Sequence, residues 1–310
     1  MARQEAITLL EFQRKFGDDE ACRDHLFKIR YPEGFICPHC GGKICYKIAK
    51  RNVYECKECG HQVYLTAGTV MHRTHIGLLK WFWAIYLVSH DKRGVSAKRL
   101  ERELEVSYPT AWTMLQKIRK AMGDRDGDYQ LAGMVELDDA YFGGPTEGGR
   151  RGRGTEKTRV LVGVSLTNKG NPLYVKMSVI DDLKNRTPVT FAEEKIKAGA
   201  TISSDAYSSY IKAFSEGAYQ HHPVAFNLKE HPDHLQWLHT MISNAKAFIG
   251  GTYHGPGAKH LQRYLDEFCF RTNRRQFAPQ LFNRLLSACA VTTTITFRQL
   301  VDGGSVPALT

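Results

Sequence analysis

The sequence lacks any apolar run long enough to cross a membrane. Its most apolar stretch, residues 78 to 88, is interrupted by Lys80, whereas a membrane-spanning helix needs about 20 apolar residues. That stretch is therefore expected to be a helix of a protein core. The N-terminus also lacks the basic-then-apolar pattern of a signal peptide, so we expect a chain that stays in a reducing cytoplasm.

Acidic residues are scarce relative to basic ones. The 32 Asp and Glu residues against 43 Lys and Arg residues give a formal net charge of +11. Such a surplus attracts polyanions and speeds their capture, which indicates a nucleic-acid partner. At 310 residues, and without internal repeats, the chain is expected to contain more than one domain.

Disulfides are not expected in a reducing compartment, so the eight cysteines should be thiols or metal ligands. Two CxxC motifs, Cys37 with Cys40 and Cys56 with Cys59, are separated by 15 residues. That spacing is typical of four thiolates around one structural Zn²⁺ in a zinc ribbon. Cys45 lies between the motifs and is not expected to be a ligand. A redox dithiol is the alternative.

The sequence divides into four segments with different residue patterns. We expect a helical lead-in over residues 1–30, a zinc ribbon over 31–70, a helix-turn-helix-like module over 71–125 and a catalytic domain over 130–300. The polar, glycine-rich residues 123 to 130 are expected to form a linker between the last two.

The module over 71–125 has the pattern of a helix-turn-helix. Ser96 is placed to cap one helix, and Pro109 opens the next after a short turn. Five polar residues of this last helix are expected to face DNA: Thr110, Thr113, Gln116, Lys117 and Lys120. The alternative is a three-helix scaffold with a solvated basic face.

Residues 130–300 alternate between strand and helix patterns. Three strand-like runs are MVELDDAYF, TRVLVGVSL and PLYVKMSVI. A helical stretch over 190 to 197 leads into a fourth run, ATISSDAY, and further helices fill 235 to 249 and 258 to 300. This order is typical of an RNase H-like core. The expected fold class is therefore α/β, an RNase H-like catalytic core preceded by a zinc ribbon and a helix-turn-helix.

Acidic residues interrupt two of these strands. On the first, Glu136 and Asp138 share one face and Asp139 points the opposite way. The fourth strand ends at Asp205. Because a buried carboxylate without a partner is costly, acids in strands usually hold a cation. We expect Asp138 and Asp205 to share a Mg²⁺ (or Mn²⁺) site suited to phosphodiester chemistry.

Several longer motifs, which follow one another in a fixed order, point to one particular protein family. The chain contains LDDAYFGG, SSDAYSSY, LHTMISNAKAFIGGTYHG and LQRYLDEFCFRTNRR, besides the ribbon, a TAGTVMH segment and a GVSA helix pair. Together these resemble the zinc-ribbon insertion-sequence transposases of the ISXO type, a branch of the DDE superfamily. The resemblance covers about residues 20 to 290.

The resemblance implies which residues form the catalytic site. The two aspartates of the family fall on Asp138 and Asp205, and the third position falls on Asn244, followed by Lys246. This is an Asp-Asp-Asn variant, and an amide is a weaker metal ligand than a carboxylate. Lys246 is expected to contact the scissile phosphate or the terminal DNA.

Two other residues are alternatives for the third ligand. His239 lies seven residues before Lys246 and shares its helical face. Glu267 is the nearest strong carboxylate downstream, although it can instead pair with Arg271, four residues on. We rank Asn244 first, His239 second and Glu267 third.

Further basic residues are candidates for DNA contact. They are Arg150, Arg151, Arg153, Arg274 and Arg275. The first three lie in a glycine-rich loop after the first acidic strand, and the last two lie on a late helix. The alternatives are a solvated insertion for the loop and ion pairs that stabilise the helix.

The resemblance implies a DNA transposase that binds the terminal inverted repeats of its element, cleaves the strand ends and joins them to target DNA. Its partner would be double-stranded DNA, in a bacterial cytoplasm and associated with the nucleoid. Holding two ends together implies a homo-oligomer, at least a dimer. The alternatives are a DNA-binding regulator or decayed transposase without catalysis, and a structure-selective RNase H-like nuclease.

Overall fold

A computed structural model describes residues 6–143, 157–184, 186–215, 217–225, 230 and 233–302. The chain forms two compact units, Met1–Met122 with Phe277–Phe297, and Gly123–Gln276 with Arg298–Thr310. Residues 277–297 therefore return to the N-terminal unit, whereas the sequence pattern placed them in the catalytic domain.

The described residues contain α-helices and β-strands in both units. The helices are α1 (Leu9–Lys15), α2 (Asp19–Arg30), α3 (Leu78–His90), α4 (Ala97–Leu104), α5 (Tyr108–Gly127), α6 (Arg186–Lys195), α7 (Ser208–Ala213), α8 (Gln236–Tyr253), α9 (Ala258–Asn273), α10 (Leu281–Val291) and α11 (Phe297–Val301). The strands are β1 (Cys45–Ile48), β2 (Val53–Cys56), β3 (Gln62–Val63), β4 (Met134–Phe142), β5 (Thr158–Leu166), β6 (Pro172–Ile180), β7 (Thr201–Asp205) and β8 (Gln220–Val224).

An aromatic core holds α10 in the first unit. Thr8 and Glu11 form a capping box that starts α1, and this helix buries Phe12. The ring of Phe282 in α10 lies 5.5 Å from that of Phe12 and 5.7 Å from that of Phe16. Packing between rings so far apart in sequence explains why α10 joins this unit.

The helices α3, α4 and α5 follow the predicted pattern. Trp81 and Phe82 of α3 are at most 2 % exposed, as expected for a core helix. The hydroxyl of Ser96 caps the start of α4, and its C-cap residue, Glu105, is in the left-handed region at φ 50°. α5 begins at Tyr108 with Pro109 in its first turn. The predicted cap and the predicted helix start are both confirmed.

The predicted linker over 123 to 130 is wrong in its first half, because α5 continues to Gly127. Asp126 is 5 % exposed. Its carboxylate accepts a hydrogen bond from Arg274 Nη1 at 2.6 Å and lies 3.6 Å from Lys176 Nζ. The last turns of α5 therefore carry a carboxylate that is paired with buried cations from distant segments. Local composition cannot reveal them, since the partners are distant in sequence.

The second unit contains a mixed five-stranded sheet in the order β6-β5-β4-β7-β8. β4, β5 and β6 are antiparallel neighbours, and they coincide with the three predicted strand-like runs. β7 pairs in parallel with β4 and with β8. The sequence did not predict β8 or the short helix α7.

Helices cover both faces of this sheet, which confirms the α/β class. On one face, Ala140 and Val162 share a buried cluster with Leu238 of α8. On the other face, Leu137 and Ile202 share a cluster with Phe191 of α6 and Tyr210 of α7. Alternate residues of β4 therefore belong to opposite layers.

Candidate functional site

Four cysteine sulfurs converge in the first unit. The Sγ atoms of Cys37, Cys40, Cys56 and Cys59 all lie within 4.8 Å of one another. The Sγ–Sγ distance is 3.7 Å between Cys37 and Cys59 and 3.6 Å between Cys40 and Cys56. A tetrahedral Zn²⁺ with Zn–S bonds of about 2.3 Å needs sulfurs about 3.8 Å apart. The cluster therefore fits a structural zinc ion, as the two motifs predict.

Glycines shape both halves of this cluster. Gly41 and Gly60 adopt the left-handed region, at φ 77° and 68°, which a residue without Cβ reaches at no cost. Their N–H groups donate to the carbonyls of Cys37 and Cys56 at 2.9 and 3.0 Å, closing the two turns. Cys45 pairs with Cys56 across β1 and β2 but is not a member of the cluster, as expected.

The strand register brings Asp138 and Asp205 together. The last paired positions of the parallel strands β4 and β7 are Leu137 and Ser204, so the next position on each strand is an aspartate. Neighbouring residues at one register position of a parallel pair point to the same face of a sheet. The two carboxylates therefore stand side by side, where β7 ends at Asp205 beside the middle of β4.

Both aspartates lie on the face that α8 covers. Leu137 is in the cluster of the opposite face and Ala140 is in the cluster under α8, so Asp138 shares the α8 face. Asp139 points to the opposite face, where its Oδ2 lies 3.8 Å from Arg159 Nε. This pairing gives Asp139 a partner of its own and supports the choice of Asp138.

Backbone amides orient the two carboxylates. Oδ1 of Asp138 accepts from the N–H of Asp139 at 2.7 Å, and Oδ1 of Asp205 accepts from the N–H of Tyr207 at 3.1 Å. Within the described part of the chain, the four cysteines are the one group of three or more His, Cys, Asp or Glu residues whose ligand atoms could hold a metal ion together. The two aspartates therefore do not form such a group with His239 or Glu267.

Asn244 lies on the flank of α8 that faces α9. At 3.6 residues per turn, it is about 200° around the helix from Lys246 and about 40° from Phe248. The ring of Phe248 packs on Phe268 of α9 at 5.9 Å. α9 packs on β6, and β6 and β7 lie on opposite sides of β4. The flank of Asn244 is thus turned away from β7.

His239 and Lys246 lie on the other flank, about 20° apart around the helix. Nζ of Lys246 lies 5.6 Å from the centre of the Phe142 ring of β4. Burial and the neighbouring Lys157 lower the pKa of Lys246. Burial also lowers the pKa of His239, a shift towards the neutral imidazole, which is the form that binds metal ions.

Glu267 lies in a structural ion pair. It is 1 % exposed, and its Oε1 accepts from Arg271 Nη2 at 2.7 Å. Its Oε2 accepts from the hydroxyl of Tyr253 at 3.1 Å. The pairing with Arg271 that the sequence offered as the alternative is present, so Glu267 is already engaged between α8 and α9.

Two of the residues expected at DNA are buried. Gln116 is 0 % exposed, because α5 also buries Met114, Leu115 and Ile118 and so packs around much of its circumference. Arg274 is 7 % exposed and is held by Asp126. Neither side chain is on the surface, which corrects the sequence-based expectation for both.

The other predicted DNA contacts are more accessible. Thr110, Thr113, Lys117 and Lys120 are partly exposed, and Arg275 is exposed. Arg275 donates to the carbonyl of Leu173 at 3.0 Å. Arg150, Arg151 and Arg153 lie outside the described residues.

Sequence analysis missed the contact between Glu136 and α8. Oε2 of Glu136 accepts from the N–H of Leu238 at 2.6 Å. The one signal in the sequence was the shared face of Glu136 and Asp138.

None of the described helices combines the length and apolar character that a membrane crossing requires.

Known families match both parts of the chain. Residues 130–273 match the ISXO2-like transposase domain, and residues 17–62 match the transposase zinc-ribbon domain. An uncharacterized protein in transposable element ISH50 of Halobacterium salinarum is 27% identical over 169 residues, 54% of this chain. The chain spans 55%, about half, of the length of that relative. The resemblance seen in the sequence is thus confirmed: the chain matches a transposase zinc-ribbon domain followed by an ISXO2-like transposase domain.

Proposed function

We propose that the chain is a DDE-type transposase that binds the ends of its insertion element and catalyses metal-dependent strand cleavage and strand transfer. The observation that carries this proposal is the placement of Asp138 and Asp205 at adjacent register positions of β4 and β7. Carboxylates on neighbouring strands supply the hard oxygen ligands that Mg²⁺ and Mn²⁺ prefer.

Asp138 and Asp205 would hold the catalytic metal, with their oxygens oriented by the amides of Asp139 and Tyr207. A divalent ion bound there supplies activation of the attacking oxygen and stabilisation of the leaving one. The strand order of the sheet, with three antiparallel strands followed by two parallel ones, supports an RNase H-like core.

We propose His239 as the third ligand. It lies on the flank of α8 turned towards β7, whereas Asn244 lies on the flank turned towards α9. Asn244 remains the residue that the family resemblance implies, so the two assignments need a direct comparison. Lys246 shares the flank of His239, and its ammonium group would contact the scissile phosphate.

We propose that α4 and α5 form a helix-turn-helix that binds the terminal repeats. The three-residue turn between them and the partly exposed Thr110, Thr113, Lys117 and Lys120 of α5 support this. A recognition helix contacts base edges and phosphates with such polar side chains. Because two ends must be held together, the working form would be at least a dimer.

The test is cleavage and joining of DNA that carries the element ends, with full-length protein and Mg²⁺ or Mn²⁺. Asp138→Asn and Asp205→Asn should each abolish cleavage and joining and leave end binding intact. Asp139→Asn is the matched control, because it removes the same charge from the adjacent position on the opposite face. Joining that survives in either of the first two variants contradicts the catalytic assignment.

The same assay separates the alternatives. A regulator or decayed transposase binds the ends without cutting them. A structure-selective nuclease cuts RNA–DNA hybrids or four-way junctions as well as it cuts end-containing DNA. Truncation is a poor test of these alternatives, since removing residues 1–125 would expose the apolar side of α10, which packs in the first unit.

A further inference from the structure

The first turn of α8 receives no cap from its own segment. Its N-cap residue, Leu235, is in the left-handed region at φ 56° and makes no side-chain hydrogen bond to the helix. The first turn also contains no acidic residue. Because the first amides of a helix have no acceptor within it, they must find one elsewhere.

Glu136 of β4 supplies that acceptor. Its Oε2 accepts from the N–H of Leu238 at 2.6 Å, across 102 residues of sequence, and the N–H of Trp237 also helps to lower the pKa of this carboxylate. Glu136 is 6 % exposed. Burial raises the pKa of Glu136, and the two amides act in the opposite direction.

A carboxylate is a favourable acceptor at the N-terminus of α8. A helix N-terminus carries partial positive charge, and hydrogen bonds to an ionised carboxylate are stronger than those between neutral groups. The contact therefore compensates the cost of burying the carboxylate. It also engages Glu136 with the backbone of α8, which distinguishes its role from that of a metal ligand.

This contact joins the two segments that carry the proposed site. Glu136 lies two residues before Asp138 on the same face of β4, and Leu238 directly precedes His239 on α8. A second tie lies nearby, where Nε2 of His234 is 3.2 Å from the carbonyl oxygen of Ser204. The start of α8 is thus fixed against both β4 and β7.

We propose that Glu136 is a positioning residue, which caps α8 from β4 and thereby sets His239 at the correct height over the two aspartates. This inference rests on the proposed function. It predicts that loss of the acceptor at position 136 disturbs metal binding and cleavage through a displaced α8, and that an uncharged acceptor restores much of both.

The experiment compares Glu136→Leu, Glu136→Gln and wild-type full-length protein. Leucine removes the acceptor, whereas glutamine keeps an oxygen that can accept from the same amides. The first measurement is hydrogen exchange at Trp237 and Leu238. We expect exchange about tenfold or more faster in Glu136→Leu, because the N–H of Leu238 loses its acceptor. Glu136→Gln should lie close to wild type.

The second measurement is Mn²⁺ affinity, followed by cleavage of end-containing DNA. Loss of a group that orients a metal ligand typically weakens metal binding by about 10- to 100-fold. We expect a loss of that size in Glu136→Leu, a lower kcat with unchanged end binding, and recovery in Glu136→Gln. Asp266→Asn is the control and should leave exchange at Leu238 unchanged, because the carboxyl group of Asp266 accepts from Gln262 of its own helix, α9.

The outcomes separate this inference from the proposed function. Fast exchange in Glu136→Leu with unchanged Mn²⁺ affinity and cleavage overturns the positioning role, even if Asp138→Asn is inactive. Equal losses in Glu136→Gln and Glu136→Leu also overturn it, because the acceptor would then not be what matters. Cleavage that survives in Asp138→Asn contradicts the proposed function, while the exchange result still reports on the cap.

Discussion

Gly123 of α5 lies so close to Asp266 of α9 that a Cβ on the glycine would stand 2.6 Å from Asp266 Oδ2. The other oxygen of this carboxyl group accepts from Gln262 Nε2 at 2.8 Å. The glycine therefore allows close packing of two helices. Its presence in a polar segment had predicted a linker, and the contact explains why a helix is found there instead.

Substitutions at two glycines of α5 should have opposite effects. Gly123→Ala forces the carboxyl group of Asp266 to move, and overpacking of this kind lowers the free energy of unfolding by about 1–3 kcal/mol. At Gly127 nothing lies within 4 Å of the Cβ position, so Gly127→Ala should raise it by up to about 1 kcal/mol through helix propensity. Denaturant titrations measure the free energy of unfolding of both variants. Equal changes in the two variants would contradict the packing argument.

The stability of the protein should depend on pH through Asp266. Burial raises the pKa of Asp266 from 3.8 to about 7. The folded state therefore holds this proton more tightly than the unfolded state. The resulting stabilisation is complete below about pH 4 and is lost as the pH rises to about 7.

Asp266→Asn tests this dependence, because it keeps a neutral side chain at every pH. Between pH 4 and 7, the free energy of unfolding of the wild type should fall relative to that of the variant. Denaturant titrations across this range supply the measurement. Parallel curves for the two proteins would show that Asp266 does not titrate in this way.

Zinc should be needed for the fold of residues 31–66. Cys37→Ser and Cys56→Ser each remove a ligand from the cluster, and a small strand-rich module depends on its metal for folding. Both variants should lose zinc, measured by elemental analysis, and become sensitive to protease in this segment. Cys45→Ser is the matched control and should keep its zinc. Loss of zinc in that variant would place Cys45 among the ligands.

The choice between His239 and Asn244 can be made directly. If the flank towards β7 supplies the third ligand, His239→Ala should weaken Mn²⁺ binding on the order of tenfold or more and abolish cleavage. Asn244→Ala should then retain both, since Asn244 lies on the flank towards α9. The reverse result would support the assignment implied by the family resemblance.

The sequence predicted the elements that depend on local pattern. The runs that became β4, β5 and β6 are rich in alternating or consecutive apolar residues, and the CxxC spacing alone indicates four zinc ligands. The choice of Asp138 over Asp139 also followed from strand periodicity. These features depend on residues within one segment, so their neighbours along the chain carry the signal.

The exposure of helix residues was predicted less well. Gln116 and Arg274 are polar and were expected at DNA, yet both are buried. A polar side chain does not reveal whether a second helix or a charged partner covers it. Asp126, the partner of Arg274, is 148 residues away.

The sequence by itself determined the zinc ligands, the main strands and the two candidate aspartates. The tertiary structure decided that α10 returns to the N-terminal unit, that α5 extends to Gly127 and that Glu136 caps α8. It also decided which flank of α8 is turned towards β7. Each of these depends on contacts between segments far apart in the chain, and such contacts are fixed by the packing of the whole fold.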